Sequence, residues 1–329
     1  MDVQKKHKLS FNERIEHMHN TKGIAFSIVN KTDAHVFLSN HNYYFRVKSY
    51  AKNHEHYSDE NSEQRGKYID LEFAYLKELS ILDMHFKNIT HKILTAIEHY
   101  TKILLLKSFE EDNEDGYKIV KDFFNHYKSH NNHILSRIVQ NKNGYCGDLI
   151  RKCCPTSPVT ISNQKFALWN VIEVLSFGDL IKLFSFYVKN NSNHSKNTLH
   201  ITNLLWSARM LRNAITHDNC LLNSLKDGYS NDNFTKNKQL NTFIQRQVPA
   251  ISTQTRKQQL SNPVIHDFVA TLYLFNEIVT SEEVKRARME ELGSFIYKRC
   301  LLHKGYFGQN TIIISNYCFI KNFVDFQFK

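Results

Sequence analysis

Residues 70–108 read DLEFAYLKELSILDMHFKNITHKILTAIEHYTKILLLKS. Their apolar residues Phe73, Leu76, Leu79, Leu82, Phe86, Ile89, Ile93 and Ile97 recur at threes and fours, and Leu104 follows two turns later. Such steps gather side chains on one face of a helix of 3.6 residues per turn. A pattern this long predicts one helix, or two in succession, as the spine of the fold. Glu98, His99 and Lys102 fall on its polar side. Glu98 and Lys102 are four residues apart, where an ion pair adds slightly to helix stability.

The chain on either side points the same way. Only 10 Gly and 4 Pro occur in 329 residues, so helix breakers are scarce. The hydrophobic share of 41%, with 12% aromatic, is enough to fill a core. Upstream, Ser10 and Glu13 have the spacing of a capping box for a short helix over 8–22, which Gly23 closes. A second helical segment covers 32–40, and the polar run 53–67 reads as a loop. Downstream, 117–128 reads as a helix, Cys153-Cys154-Pro155 and Pro158 mark a break, and Ser176 with Asp179 caps a helix that runs past Tyr187. Residues 226–262 are rich in Asn, Gln, Lys and Ser without steady periodicity and read as a long mobile connection. Helices follow over 263–279, with Pro263 in the first turn, and over 281–303. The β-branched and aromatic end, 311–328, reads as a strand or a buried helix. The expectation is an all-α chain in four parts: an N-terminal helical region 1–68, a helical core 69–225, a polar connection 226–262 and a C-terminal helical region 263–329.

Lys+Arg number 43 against 32 Asp+Glu, a net charge of +11. That balance suits a polyanionic partner and suits an ordinary solvated basic surface equally well. Tyr43, Tyr44 and Tyr50 interleave with Arg46, Lys48 and Lys52, which is the composition of an RNA-stacking surface. It is also, and more commonly, that of a packed helix whose lysines reach outward. His126, His130 and His133 have a zinc-compatible spacing, but no Cys or carboxylate within the run completes a site. With 18 His in the chain, chance spacing accounts for the triplet, so no metal or cofactor is expected. The six cysteines (Cys146, Cys153, Cys154, Cys220, Cys300 and Cys318) form no paired two-spacer motif, and Met1 opens onto polar residues instead of an apolar leader. Free thiols in a reducing cytoplasm are therefore expected. Apolar runs such as 103–106 are far too short to span a bilayer.

A second stretch carries chemistry. Residues 206–223 read WSARMLRNAITHDNCLLN, and with Leu204 before them they predict a helix with an apolar stripe at Leu204, Ala208, Leu211 and Ile215. Arg212 and His217 stand beside the stripe, a guanidinium to stabilise phosphate charge and an imidazole to move protons. On a helix Asn213 and His217 share a face, while Arg212 is offset by about 100° toward the stripe. The spacing alone has little weight, since 18 His and a dozen arginines produce roughly two chance matches. The second match, Arg14 with His19, sits on a short terminal helix with no deep core around it; context favours Arg212 and His217.

The run Leu211-Arg212-Asn213-Ala214-Ile215-Thr216-His217-Asp218-Asn219-Cys220-Leu221-Leu222-Asn223 resembles the signature of the Abi-like (AbiD/AbiF) proteins of bacterial phage defence, members of the HEPN superfamily of helical ribonucleases. Other blocks agree in order: Leu9-Ser10-Phe11 with Lys22-Gly23, Phe37-Leu38 with Asn42-Tyr43-Tyr44-Phe45-Arg46 and Tyr50, Leu82-Asp83-Met84-His85, Ile97-Glu98-His99, and Trp169 to Leu180 with its Ser-Phe-Gly. The resemblance spans about residues 9–225. Thr216, Cys220 and Lys102 depart from the residues common among relatives, and Asn219 stands where a different HEPN branch carries a modified tyrosine.

The resemblance implies an HEPN-type helical bundle with added N- and C-terminal helices, and an anti-phage endoribonuclease that cuts RNA without metal. Arg212, Asn213 and His217 would be its catalytic residues, with Glu98 and Lys102 in support. Tyr43, Tyr44, Arg46 and Lys48 are the weaker candidates for contacting RNA. The implied partners are an RNA substrate, a second copy of the chain, because HEPN sites are composite, and an antitoxin that is a small RNA or a protein. The alternative is a non-catalytic RNA-binding protein or scaffold of a defence or toxin–antitoxin complex, in which Arg212 and His217 only hold a phosphate.

Overall fold

The computed structural model describes residues 8–59, 63–112, 114–130, 132–190, 196–226 and 237–327. Among them every regular element is helical, and the β pairings are two isolated bridges, Ala25 with Glu72 and His56 with Tyr68. The α-helices are α1 (Phe11–Glu16), α2 (Lys31–Asn40), α3 (Tyr44–Ser49), α4 (Phe73–Glu110), α5 (Gly116–Ser129), α6 (Ile134–Gln140), α7 (Gly147–Cys153), α8 (Leu168–Val171), α9 (Phe177–Asn190), α10 (Lys196–Thr216), α11 (Lys238–Gln247), α12 (Thr253–Gln259), α13 (Pro263–Ile278), α14 (Glu282–Ser294) and α15 (Thr311–Gln327). The all-α expectation holds. The spine over 70–108 is a single helix, α4, of 38 residues. No helix of the described residues is long and apolar enough to cross a membrane.

Local chemistry accounts for the helix starts. Ser10 accepts from the Glu13 amide while Glu13 returns a bond to the Ser10 amide, so the capping box forms. The turn continues as a π-helix to Thr21 before Gly23, at φ +67, reverses the chain. Ser176 accepts from the Asp179 amide at 3.2 Å and starts α9. The end of the chain, open between strand and helix on sequence, is α15. The expected connection over 226–262 differs most. Its part from 237 onward holds α11 and α12, capped by Asn237 and Ser252. Leu240 and Ile244, one turn apart, are fully buried, and Val248 and Ile251 are buried after them. A two-residue stripe in a polar sequence is enough for a helix once a core receives it, since tertiary burial, not propensity, supplies most helical stability.

The contacts divide the chain into two compact units, one formed by Met1–His91, Asn213–Val269 and Arg286–Lys329, the other by Lys92–Arg212 and Ala270–Lys285. The dividing points fall within α4, α10, α13 and α14. In the first unit Tyr50, Phe73, Phe268, Phe319 and Phe323 are fully buried side chains of the core. In the second, Phe123, Phe184, Leu204 and Ala208 are. There Gly178 of the Ser-Phe-Gly block lies against Arg209, whose Nε would be 2.5 Å from any Cβ at that position.

One buried group gives the first unit a pH dependence. Burial, aided by the charge of Lys226, pushes the pKa of His54 down to about 4. Above the ordinary value of about 6.5 both folded and unfolded forms are neutral; below it the unfolded chain takes up the proton first, so stability falls as pH drops from about 6.5 toward 4. Urea unfolding at pH 5 is expected to show about 2 kcal/mol less stability from this group than at pH 7.5. His54→Asn should reduce the difference between the two pH values by that amount.

Candidate functional site

Helix α10 does not continue to Asn223 as its periodicity suggests; it ends at Thr216. The His217 amide still bonds back to the Asn213 carbonyl at 3.0 Å, one helical step. The next residue, Asp218, has φ +53. Its amide bonds to the Ile215 carbonyl and the Asn219 amide to the Ala214 carbonyl, both at 2.9 Å. That pair of bonds around a left-handed residue is a Schellman termination, where glycine usually stands. An L-residue in this conformation costs roughly 1–2 kcal/mol, and Asp bears it better than most. Asn213 and His217 thus keep their one-turn relation up to the last helical step. The His217 imidazole is exposed and has no hydrogen-bond partner among the described residues.

What holds Asp218 there is a ring of four charges within the first unit. Arg46, from α3, grips the Asp218 carboxylate through both guanidinium nitrogens, one bond measuring 2.9 Å. Lys87, from α4, bonds the same carboxylate and lies 3.4 Å from the Asn219 carbonyl. Each cation also faces Asp83, Arg46 at 3.7 Å and Lys87 at 3.5 Å. Two carboxylates and two cations therefore alternate. Asp83 is fully buried, both cations are nearly so, and the Asp218 side chain remains 69% exposed. The Arg46 hydrogen bond, and then Lys87, outweigh partial desolvation and pull the Asp218 carboxyl down to about 2. The same bond raises the Arg46 guanidinium further against the opposing effect of burial. Burial, and next the neighbouring Asp83 charge, push the Tyr50 hydroxyl far up; that hydroxyl donates to Asp83 at 2.8 Å.

From Leu221 to Leu225, across the end of the signature, the chain is largely buried without regular structure, so its backbone polar groups need side-chain partners. Asp83 accepts from the amides of Leu221 and Leu222, both at 3.0 Å. Asn53 donates to the Leu222 carbonyl and accepts from the Leu225 amide, both at 2.7 Å. Asn262 donates to the Ser224 carbonyl at 2.7 Å, and Asn316 to the Leu225 carbonyl at 3.1 Å. A carboxylate and three asparagines thus replace the ladder that a helix or strand would supply.

In the second unit, Arg212 is half-buried and its guanidinium lies 3.8 Å from the Glu98 carboxylate. Lys102 does not reach back to Glu98; it pairs with Glu173 at 3.4 Å. The structure therefore brings Glu98 to Arg212 and directs Lys102 elsewhere. The unit boundary falls between Arg212 and Asn213, at consecutive positions of α10. The chance match behaves otherwise. Arg14 stacks over the Phe11 ring at 5.3 Å, and the His19 ring bonds the Ile24 carbonyl at 3.1 Å.

The four aromatic and basic candidates of the upstream block separate. Tyr43 is exposed, Tyr44 and Arg46 are buried, and Lys48 lies over the Tyr44 ring at 5.8 Å. Arg46 is committed to carboxylates, and Phe45, which sequence reasoning passed over, is the most exposed aromatic of the block at 78%. Sequence reasoning also missed Lys87 and the roles of Asp83 and Asp218. Asp83 is within a quoted block and Asp218 directly follows His217, but no spacing rule joins positions so far apart in the chain.

The family model described as Abi-like protein matches residues 36–223, more than half of the chain. No curated protein and no solved structure matches.

Proposed function

The chain belongs to the Abi-like protein family, and from that premise we propose that it is an abortive-infection endoribonuclease of the HEPN type, cutting RNA without a metal ion. The observation that carries the reading is the state of the signature residues. His217 stands exposed just past the end of α10, with its ring unpartnered among the described residues, while the histidine of the competing match is tied to a backbone carbonyl. A proton-transfer group has to be reachable, and His217 is.

In this reading a base removes the proton of a ribose 2′-hydroxyl, and the 2′ oxygen bonds to the adjacent phosphorus. The bond from phosphorus to the 5′ oxygen breaks, and an acid returns a proton to that leaving oxygen. The products are a 2′,3′-cyclic phosphate and a 5′-hydroxyl. His217 serves as one proton-transfer group and the His217 of a second copy as the other, so the active form is a homodimer. Arg212 binds the non-bridging oxygens through its planar fork as charge builds on them. Asn213, one turn before His217, orients the imidazole or a phosphate oxygen. Glu98, at 3.8 Å, aims the guanidinium, while Lys102 braces α4 against Glu173. The action is toxic to the host cell and is restrained by an antitoxin.

The test is incubation of the purified chain with single-stranded RNA in excess EDTA. Cyclic phosphate ends are expected. Cleavage that appears only when a divalent metal is restored overturns the reading, and RNA binding without cleavage of any substrate favours a scaffold.

A further inference from the structure

Asp218 is the member of the four-charge ring that directly follows His217, and with Asp70 it is one of the two non-glycine residues at positive φ among the described residues. Glycine adopts this conformation freely, and asparagine and aspartate tolerate it about equally, so backbone sterics give no reason for aspartate to stand here instead of glycine. Core packing does not explain it either, because the side chain is mostly exposed. Its two cations, by contrast, are buried, and they come from α3 and α4, elements far from the end of α10 along the chain. The His217 imidazole has no hydrogen bond of its own to orient it among the described residues. Its placement comes from the backbone, which is held on one side by the Asn213 carbonyl and on the other by Asp218.

We propose that Asp218 is a positioning residue for His217. The ring of Arg46, Lys87 and Asp83 holds Asp218 in the left-handed conformation and so sets where α10 stops and where the imidazole before it stands. The inference rests on reading His217 as the proton-transfer residue. Arg46 and Lys87 act at one remove, by holding the residue that holds the histidine. A helix end tied only by backbone bonds frays, and a misplacement of about 1 Å in a reacting group costs on the order of 100-fold in rate. Tying the residue after the histidine to two buried cations removes that freedom.

The experiment compares the full chain with Asp218→Gly and Asp218→Asn, the two substitutions the backbone conformation accepts. Three quantities are read: kcat and KM for RNA cleavage, the His217 ring signal in a proton–carbon spectrum (identified by its loss in His217→Gln), and hydrogen exchange of the Asn219 amide. Asp218→Gly is expected to lower kcat by about 10- to 100-fold with KM within about twofold, to broaden or shift the His217 signal and to speed Asn219 exchange. Asp218→Asn should recover part of each, because its amide oxygen still accepts from Arg46 and Lys87 without the charge; it also carries the test if the glycine variant does not fold. A wild-type kcat with an unchanged His217 signal overturns the proposal. So does a lost kcat with an unchanged signal and unchanged exchange, which would give Asp218 some other part in the reaction. If the unmodified chain cuts no RNA, the ribonuclease reading fails on its own, and the His217 signal with the Asn219 exchange still decides whether Asp218 positions the histidine.

Discussion

His217→Ala is expected to lower RNA cleavage by about 1,000-fold or more while leaving the unfolding transition within a degree or two. The size follows from the chemistry. A positioned proton donor or acceptor contributes about 100- to 10,000-fold, and in a composite site one substitution removes the acid and the base together. The small effect on folding follows from the surroundings, since the imidazole is exposed and unpartnered among the described residues. Surface substitutions of that kind change stability by about 0.5 kcal/mol or less. Single-turnover cleavage of a labelled RNA, with thermal unfolding of the same preparations, measures both. Arg212→Lys is the companion: it keeps the charge but loses the fork, and a loss of about 100-fold is expected. If His217→Ala cuts RNA at the wild-type rate, the assignment of His217 is wrong.

Asp83→Ala is expected to cost about 3–5 kcal/mol of stability, the range for breaking a buried ion pair by removing one partner. Asp83 is fully buried, and its carboxylate is shared by the Tyr50 hydroxyl, the amides of Leu221 and Leu222, and the cations of Arg46 and Lys87. Its loss leaves two buried cations facing Asp218 alone and strips a partner from two backbone amides. Each unsatisfied buried group costs about 1–3 kcal/mol. Asp148→Ala is the control. Its pair with Arg151 joins neighbouring turns of α7 with both side chains mostly exposed, and less than about 1 kcal/mol is expected. Urea titration of the three proteins reads the comparison, and equal midpoints for Asp83→Ala and wild type would show that the ring holds nothing together. Because Asp83 also pins the chain just after His217, Asp83→Ala should lower cleavage too, although that loss reports folding and positioning together.

The parts of the fold legible in the sequence are those set by neighbours within one helical turn. The threes and fours from Phe73 onward describe one face of α4, and the reciprocal bonds of Ser10 and Glu13 involve residues three apart. The start of α9 at Ser176 is of the same kind. Periodicity failed in two ways. It ran past the true end of α10, because what stops that helix is a left-handed Asp218 tied to Arg46, 172 residues earlier, and to Lys87, 131 residues earlier. It also undervalued 237–259, where Leu240 and Ile244 form a helix only because a core is there to bury them.

The candidate residues divide along the same line. The sequence alone determined an all-α chain and, through ordered blocks ending in Arg212-Asn213 and His217, its kinship with a family of phage-defence proteins. Both are carried by residue types and short spacings, which the chain displays without folding. Only the tertiary structure decided that Arg46 is a buried tether and not an exposed phosphate contact, that Glu98 faces Arg212 while Lys102 turns to Glu173, and that the histidine's neighbour is clamped between two buried cations. The physical reason is that burial and charge pairing depend on which distant groups arrive at the same place, and the cost of leaving a buried charge unpaired is what then selects the conformation.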